Sequence, residues 1–128
     1  MQQLQILKLI KNMKKKIKKK ESLKLQLEKN IDILNYISNH NSMRPDLVIG
    51  FAAETNSVEN NAEKKLNKKN CDWIISNDVS NKDIGFNSDY NEVVIHYKDK
   101  NIKNEKLSYK KKSEISDEIV DRIIDQLN

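Results

Sequence analysis

Residues 47–53, Leu-Val-Ile-Gly-Phe-Ala-Ala, form an unbroken apolar run in a chain that is otherwise crowded with charge. Such a run is too short for an ordinary helix and suits a strand covered on both faces, as in a parallel sheet. The residues after it extend the reading. Val58, Ala62 and Leu66 recur at helical spacing within a predicted helix over 56–69, and 72–76 form a second short strand ending at Asn77-Asp78. Strand, helix and strand in this order make a crossover unit, so the body of the chain reads as α/β.

The flanking segments fit that class. Residues 23–28 alternate Leu23, Leu25 and Leu27 with Lys24, Gln26 and Glu28, the pattern of a strand with one buried face. Asn30 is placed to cap a helix through 31–39, where Ile33, Leu34 and Ile37 share a face. Alternation returns near Val93–Tyr97, and a short strand around Lys106–Tyr109 is expected to pair with it as a hairpin. Ser113 or Ser116 is expected to cap a closing helix with Ile115, Ile119, Ile123 and Leu127 as its apolar stripe. The predicted fold is a mostly parallel three-layer α/β sheet with a C-terminal hairpin and helix, residues 47–52 and 73–76 being adjacent strands. Residues 1–15, with Ile6, Leu9, Ile10 and Met13 at helical spacing, read as a separate basic helix outside that sheet. In open α/β sheets ligands bind beyond the carboxyl ends of the strands. Glu54, Thr55 and the Asn77–Ser80 turn are therefore the positions to watch.

Charge is unevenly spread. Residues 1–20 hold eight lysines and no acid, +8 against a total of +5, which leaves the other 108 residues at −3. The basic run lacks aromatic neighbours on which bases could stack, which argues against nucleic acid as the partner. No stretch has the ~18–20 uninterrupted apolar residues of a membrane span, and the apolar residues at 4–13 precede the lysines, the reverse of a secretory signal. A single cysteine, Cys71, rules out an internal disulfide, and neither His40 nor His96 has a second ligand at metal-binding spacing. No metal site and a cytoplasmic location are expected.

Two lysines stand out. At about 100° per residue, Lys65 and Lys69 fall in or beside the Val58–Ala62–Leu66 stripe, whereas Lys64 and Lys68 point away. Lysines on the inner face either snorkel past the helix end or reach an anion in a cleft. The residues alone leave both open. They also show no Gly-rich phosphate loop, since the chain has only Gly50 and Gly85.

Five strings, taken in order, go further: Lys-Ile-Lys-Lys at 16–19, Gly-Phe-Ala-Ala-Glu-Thr at 50–55, Lys-Asn-x-Asp at 69–72, Asn-Asp-Val-Ser at 77–80 and Gly-Phe-x-Ser-Asp-x-Asn at 85–91. Over residues 16–128 the chain resembles the C-terminal, Rossmann-like half of the bacterial phosphopantothenate–cysteine ligases, which are often fused behind a flavin-dependent decarboxylase. The resemblance implies CTP-dependent activation of 4′-phosphopantothenate and amide formation with cysteine in coenzyme A synthesis, with Mg²⁺ accompanying the nucleotide. It implies Lys16 as the catalytic lysine and nucleotide contacts from Asn30, Asp32, Ile33, Phe51, Lys65 and Lys69. Two departures stand against it. Ile31 replaces the proline of the family's Asn-Pro-Asp-Ile, a small change. The family's long preceding half, with its Gly-rich loop and substrate-binding Asn, has only residues 1–15 in its place.

Activity of this chain alone is accordingly not expected. A complementary N-terminal ligase or decarboxylase chain is the partner this reading calls for, and a homodimer is compatible with it. The competing readings are a non-catalytic nucleotide-binding or assembly module and, more remotely, a basic RNA or membrane-surface binder acting through residues 8–20.

Overall fold

The computed structural model describes residues 8–9, 27–28, 30–80 and 88–128. The chain divides into two compact units, Gln2–Asp32 and Ile33–Asn128. In the first, β1 (Lys8–Leu9) pairs antiparallel with β2 (Leu27–Glu28), Lys8 opposite Glu28 and Leu9 opposite Leu27. Lys8 and Leu9 are therefore strand, not part of the expected helix. A short, uncapped helix is marginal in water, and here ladder pairing with an alternating strand wins. Lys16 lies outside the described residues.

The larger unit contains α1 (Ile33–Ser38), β3 (Ile49–Glu54), α2 (Val58–Lys68), β4 (Trp73–Asp78), β5 (Tyr90–Tyr97), β6 (Glu105–Lys111) and α3 (Lys112–Leu127). Its four strands lie in the order β3-β4-β5-β6. The α/β class is as expected. β3 and β4 are parallel, with Phe51 opposite Ile75, and β5–β6 form the expected antiparallel hairpin, but β4–β5 is antiparallel as well. The described part of this sheet is thus mixed rather than mostly parallel. The cause is local. Among the described residues a crossover helix stands only between β3 and β4, and antiparallel neighbours need none.

Strand alternation sorts the side chains into two faces. On one, Val48, Ala52 and Ile74 pack with Ala62 and Leu66 of α2 and with Cys71, and Leu34 of α1 adds to this cluster. On the other, Trp73, Ile75, Val93, Ile95, Tyr97 and Leu107 pack with Ile115 of α3, flanked by Ile119 and Ile123. Helices on both faces make three layers, as expected. Cys71 is a buried core residue with a free thiol.

Helix boundaries differ from expectation in instructive ways. The first helix starts at Ile33, so Asp32 and not Asn30 directly precedes it. Of its expected stripe only Leu34 packs on the core, while Ile33 is 69% exposed. The last helix starts at Lys112, ahead of both expected serine caps, because the Lys111 N–H donates to Glu114 Oε2 at 3.0 Å. Leu127, the last residue of its expected stripe, is exposed.

Candidate functional site

The parallel pair β3–β4 ends at Glu54 and Asp78, which stand opposite each other in the ladder. Position 54 continues the inward set Val48, Ala52, so the Glu54 carboxylate is carried to the α2 face, where it is 1% exposed. A buried carboxylate must be paired. Lys65, about two turns into α2, supplies the pair through its ammonium, and Asn61 Nδ2 lies 3.4 Å from the other carboxylate oxygen. Asn61 also donates to the Asn56 carbonyl at 2.9 Å, which ties the chain between β3 and α2 to the helix. Ser57, immediately before α2, takes a left-handed conformation with φ 48°.

The turn after β4 is organised by Asp78. Its Oδ1 accepts from the Ser80 N–H at 2.9 Å and from the Ser80 hydroxyl, and these bonds hold its carboxyl below the usual carboxylate range. The Val79 N–H donates to the Glu54 carbonyl at 2.9 Å, locking the two strand exits together. Deeper on the same face, His96 lies between Ser76 Oγ at 2.8 Å and Asn104 Nδ2 at 3.4 Å. Burial pushes its imidazole below the ordinary value, against Glu59 and Glu63 of α2, which favour the charged form, and with Lys100, which opposes it.

The amino end of the sheet is held by a different set. Asp72 Oδ2 accepts from the Val48 N–H at 2.7 Å and from Arg44 at 3.0 Å. Arg44 also donates to the carbonyls of Ser38 and Asn70. The buried Ser38 hydroxyl donates to the Lys69 carbonyl, and Asn70 turns the chain out of α2 with φ 54°. The Lys69-Asn70-Cys71-Asp72 string is thereby a backbone latch, with Asn in the left-handed position that asparagine tolerates best after glycine.

The expected site residues take distinct places. Lys65 and Lys69 are half-buried whereas Lys64 and Lys68 are exposed, the division the helical wheel gives. Lys65 reaches the carboxyl end and Lys69 stands at the far end of α2. Phe51, 66% exposed, projects from the opposite face of β3. There it lines an open groove of about 480 Å³ with Ile75, Asn77 and Val93 below and Ile119 and Val120 of α3 beside it. Ile33 is exposed at the start of α1. Asn30 and Asp32 belong to the first unit. The Glu54 pairing was missed by sequence reasoning, although a lone carboxylate at a buried-parity position of an apolar strand is a readable signal. Among the described residues no group of three or more His, Cys, Asp or Glu could hold a metal ion. A nucleotide-borne Mg²⁺ needs no such cage, because phosphates and water supply most of its ligands. Among the described residues no helix is long and apolar enough to cross a membrane.

A three-layer α/β sheet with ionisable groups gathered at the carboxyl end of a parallel pair is the general design of nucleotide-handling domains. Residues 8–127 match the DNA/pantothenate metabolism flavoprotein C-terminal domain, and the chain belongs to that family. It is 38% identical over 112 residues to the coenzyme A biosynthesis bifunctional protein CoaBC of Haemophilus influenzae, covering 87% of this chain and 27% of that protein. The CoaBC of Escherichia coli strain K12 is 42% identical over 86 residues, 67% of this chain and 21% of its own length. A crystal structure of the C-terminal domain of CoaBC superimposes with a TM-score of 0.62 at 33% identity, covering 80% of this chain and 45% of that one. The DNA/pantothenate metabolism flavoprotein from Streptococcus pneumoniae shares the fold, with a TM-score of 0.58 at 23% identity. The chain thus spans about a quarter of the length of these curated relatives and under half of the solved domain.

Proposed function

We propose that this chain is part of a phosphopantothenate–cysteine ligase, contributing one side of its nucleotide site. In the reaction the 4′-phosphopantothenate carboxylate attacks the α-phosphorus of CTP and pyrophosphate leaves. The cysteine amine then attacks the acyl-cytidylate carbonyl, forming the amide and releasing CMP. The nucleophiles come from the substrates, so the protein's task is to place positive charge where phosphate charge develops. Lys16 is proposed as the catalytic lysine. Asn30, Asp32, Ile33, Phe51, Lys65 and Lys69 are proposed as nucleotide contacts, with Mg²⁺ accompanying CTP. The observation that carries the reading is the inward lysine Lys65 at the carboxyl end of β3–β4, in a chain whose family match runs over residues 8–127.

More than half of the solved domain lies outside the match, and a complementary N-terminal half is the proposed partner. The test follows pyrophosphate release from CTP, Mg²⁺, phosphopantothenate and cysteine. This chain alone should give none, and addition of an N-terminal ligase half should restore it. Failure of release with both halves present would sink the ligase reading. The partial coverage also favours a second reading, a non-catalytic nucleotide-binding module. That reading predicts CTP binding by this chain with no turnover under either condition.

A further inference from the structure

We infer that Glu54 is a positioning residue for anion binding, its buried carboxylate fixing the Lys65 ammonium at the carboxyl end of β3. The inference rests on the proposed nucleotide site and adds to it a residue the five-string resemblance gives no role.

Stability does not explain the pair. An apolar side chain at position 54 would continue the Val48–Ala52 cluster, and replacing a buried ion pair by well-packed apolar groups is commonly neutral or stabilising. Glu54 is instead held with care. Its side chain is 1% exposed, one oxygen takes the Lys65 ammonium, the other faces Asn61 Nδ2, and its carbonyl accepts the Val79 N–H. The lysine is the half of the pair that meets solvent, with its side chain 20% exposed.

That asymmetry sets the chemistry. A lysine stem is flexible and samples many positions, so an unheld ammonium pays an ordering cost when it meets a phosphate. An ammonium carries three donors and no acceptor. Glu54 is its partner among the described residues, which leaves donor capacity directed outward. Glu54 therefore pre-orders the cation without consuming it. Among the described residues the neighbouring Lys64 and Lys68 have no such anchor and are exposed on the same helix.

The test is a double-mutant cycle on the full chain, with CTP and Mg²⁺ as probe, read by calorimetry and accompanied by thermal melts. Glu54→Gln and Lys65→Gln should each weaken binding about tenfold or more. The double variant should bind no more weakly than Lys65→Gln, since Glu54 acts only through Lys65. It also removes both charges of the pair, so neither is left facing a neutral partner. Should Glu54→Gln fail to fold, Glu54→Asp keeps the charge on a shorter stem and should lose part of the affinity. A second readout follows the Lys65 methyl signals after reductive ¹³C-methylation. CTP should move them in the native chain and not in Glu54→Gln. Native-like affinity in Glu54→Gln or Glu54→Asp, or losses that multiply in the double variant, would overturn the inference and leave the nucleotide site standing. No CTP binding by the native chain, either alone or with an N-terminal ligase half added, would overturn both.

Discussion

The two faces of this sheet are built on different terms. The α2 face is closed, and it buries polar machinery within its apolar cluster: Glu54 with Lys65, and Ser76 with His96. The α3 face is apolar at its centre and keeps its charges at the margin. There Glu105 accepts from the Tyr97 hydroxyl at 2.6 Å and from Arg122 at 2.8 Å. It is also half open, because α3 packs over β5 and β6 and leaves Phe51 of β3 uncovered. Burying polar groups is costly unless each is satisfied. The closed face is thus the one where function and stability are entangled, and the open face is the one free to receive something.

The sharpest way to break that comparison is to remove one charge from the closed face. Lys65→Gln takes the Lys65 ammonium away from the buried Glu54 carboxylate, and loss of one partner of a buried pair costs about 3–5 kcal/mol. Lys64→Gln, one residue away and exposed, should stay within about 0.5 kcal/mol of the native chain. Urea denaturation of the two variants decides it. Equal midpoints would mean that Lys65 is not what offsets the burial of Glu54. Any binding measured on Lys65→Gln has to be read at temperatures where that variant is still folded.

Much of this was legible in the sequence, for a physical reason. The β3 run, the α2 stripe and the direction of four lysines follow from local periodicity, which a fold with a continuous core must respect. The adjacency of β3 and β4 and the β5–β6 hairpin were legible too, but the pairing of β4 with β5 was not. Nothing in the polar stretch Tyr90-Asn91-Glu92 announces that β5 begins there, and nothing local tells that it runs antiparallel to β4. The partner of Lys65 was hidden because it lies eleven residues upstream on a different element. The strand at Lys8–Leu9 was hidden because its spacing suits a helix equally well.

A smaller perturbation probes how tightly the closed face is packed. A Cβ at Gly50 would stand 2.7 Å from both Ile74 Cδ1 and Leu34 Cδ2. Gly50→Ala should therefore cost about 1–3 kcal/mol through overpacking, visible as a lowered urea midpoint with an unchanged slope. No loss would mean that α1 sits loosely on β3.

Acid should unlock the faces in sequence. His96 is held below its ordinary value of 6.5 by burial. Between that lowered pKa and 6.5 the unfolded chain holds a proton that the folded chain does not, so stability falls as pH falls through this window. Glu105 is held below 4.5, first by Arg122 and then by Tyr97. Its stabilisation is present above 4.5 and is lost as pH falls through its lowered pKa. Urea midpoints followed from neutral pH downward should show the α2-face loss first. His96→Gln should remove that early slope and leave the later one, and Glu105→Gln should do the reverse. A His96→Gln variant that keeps the early slope would place its origin elsewhere.

The least effect on stability is expected from the most exposed aromatic ring among the described residues. Phe51 lies one residue from Ala52, and alternation sends the two to opposite faces: Ala52 is 3% exposed and Phe51 is 66% exposed. Burying a phenylalanine is worth about 1.5–3 kcal/mol, so a ring left this exposed has little of that to lose. Phe51→Ser should shift the urea midpoint by less than the equivalent of about 0.5 kcal/mol. The same change should weaken CTP binding if the proposed nucleotide contact holds, which separates binding from folding at one position. A stability loss near the full burial value would show that something covers the groove in solution. Sedimentation at two protein concentrations would then tell whether the cover is a second copy of the chain.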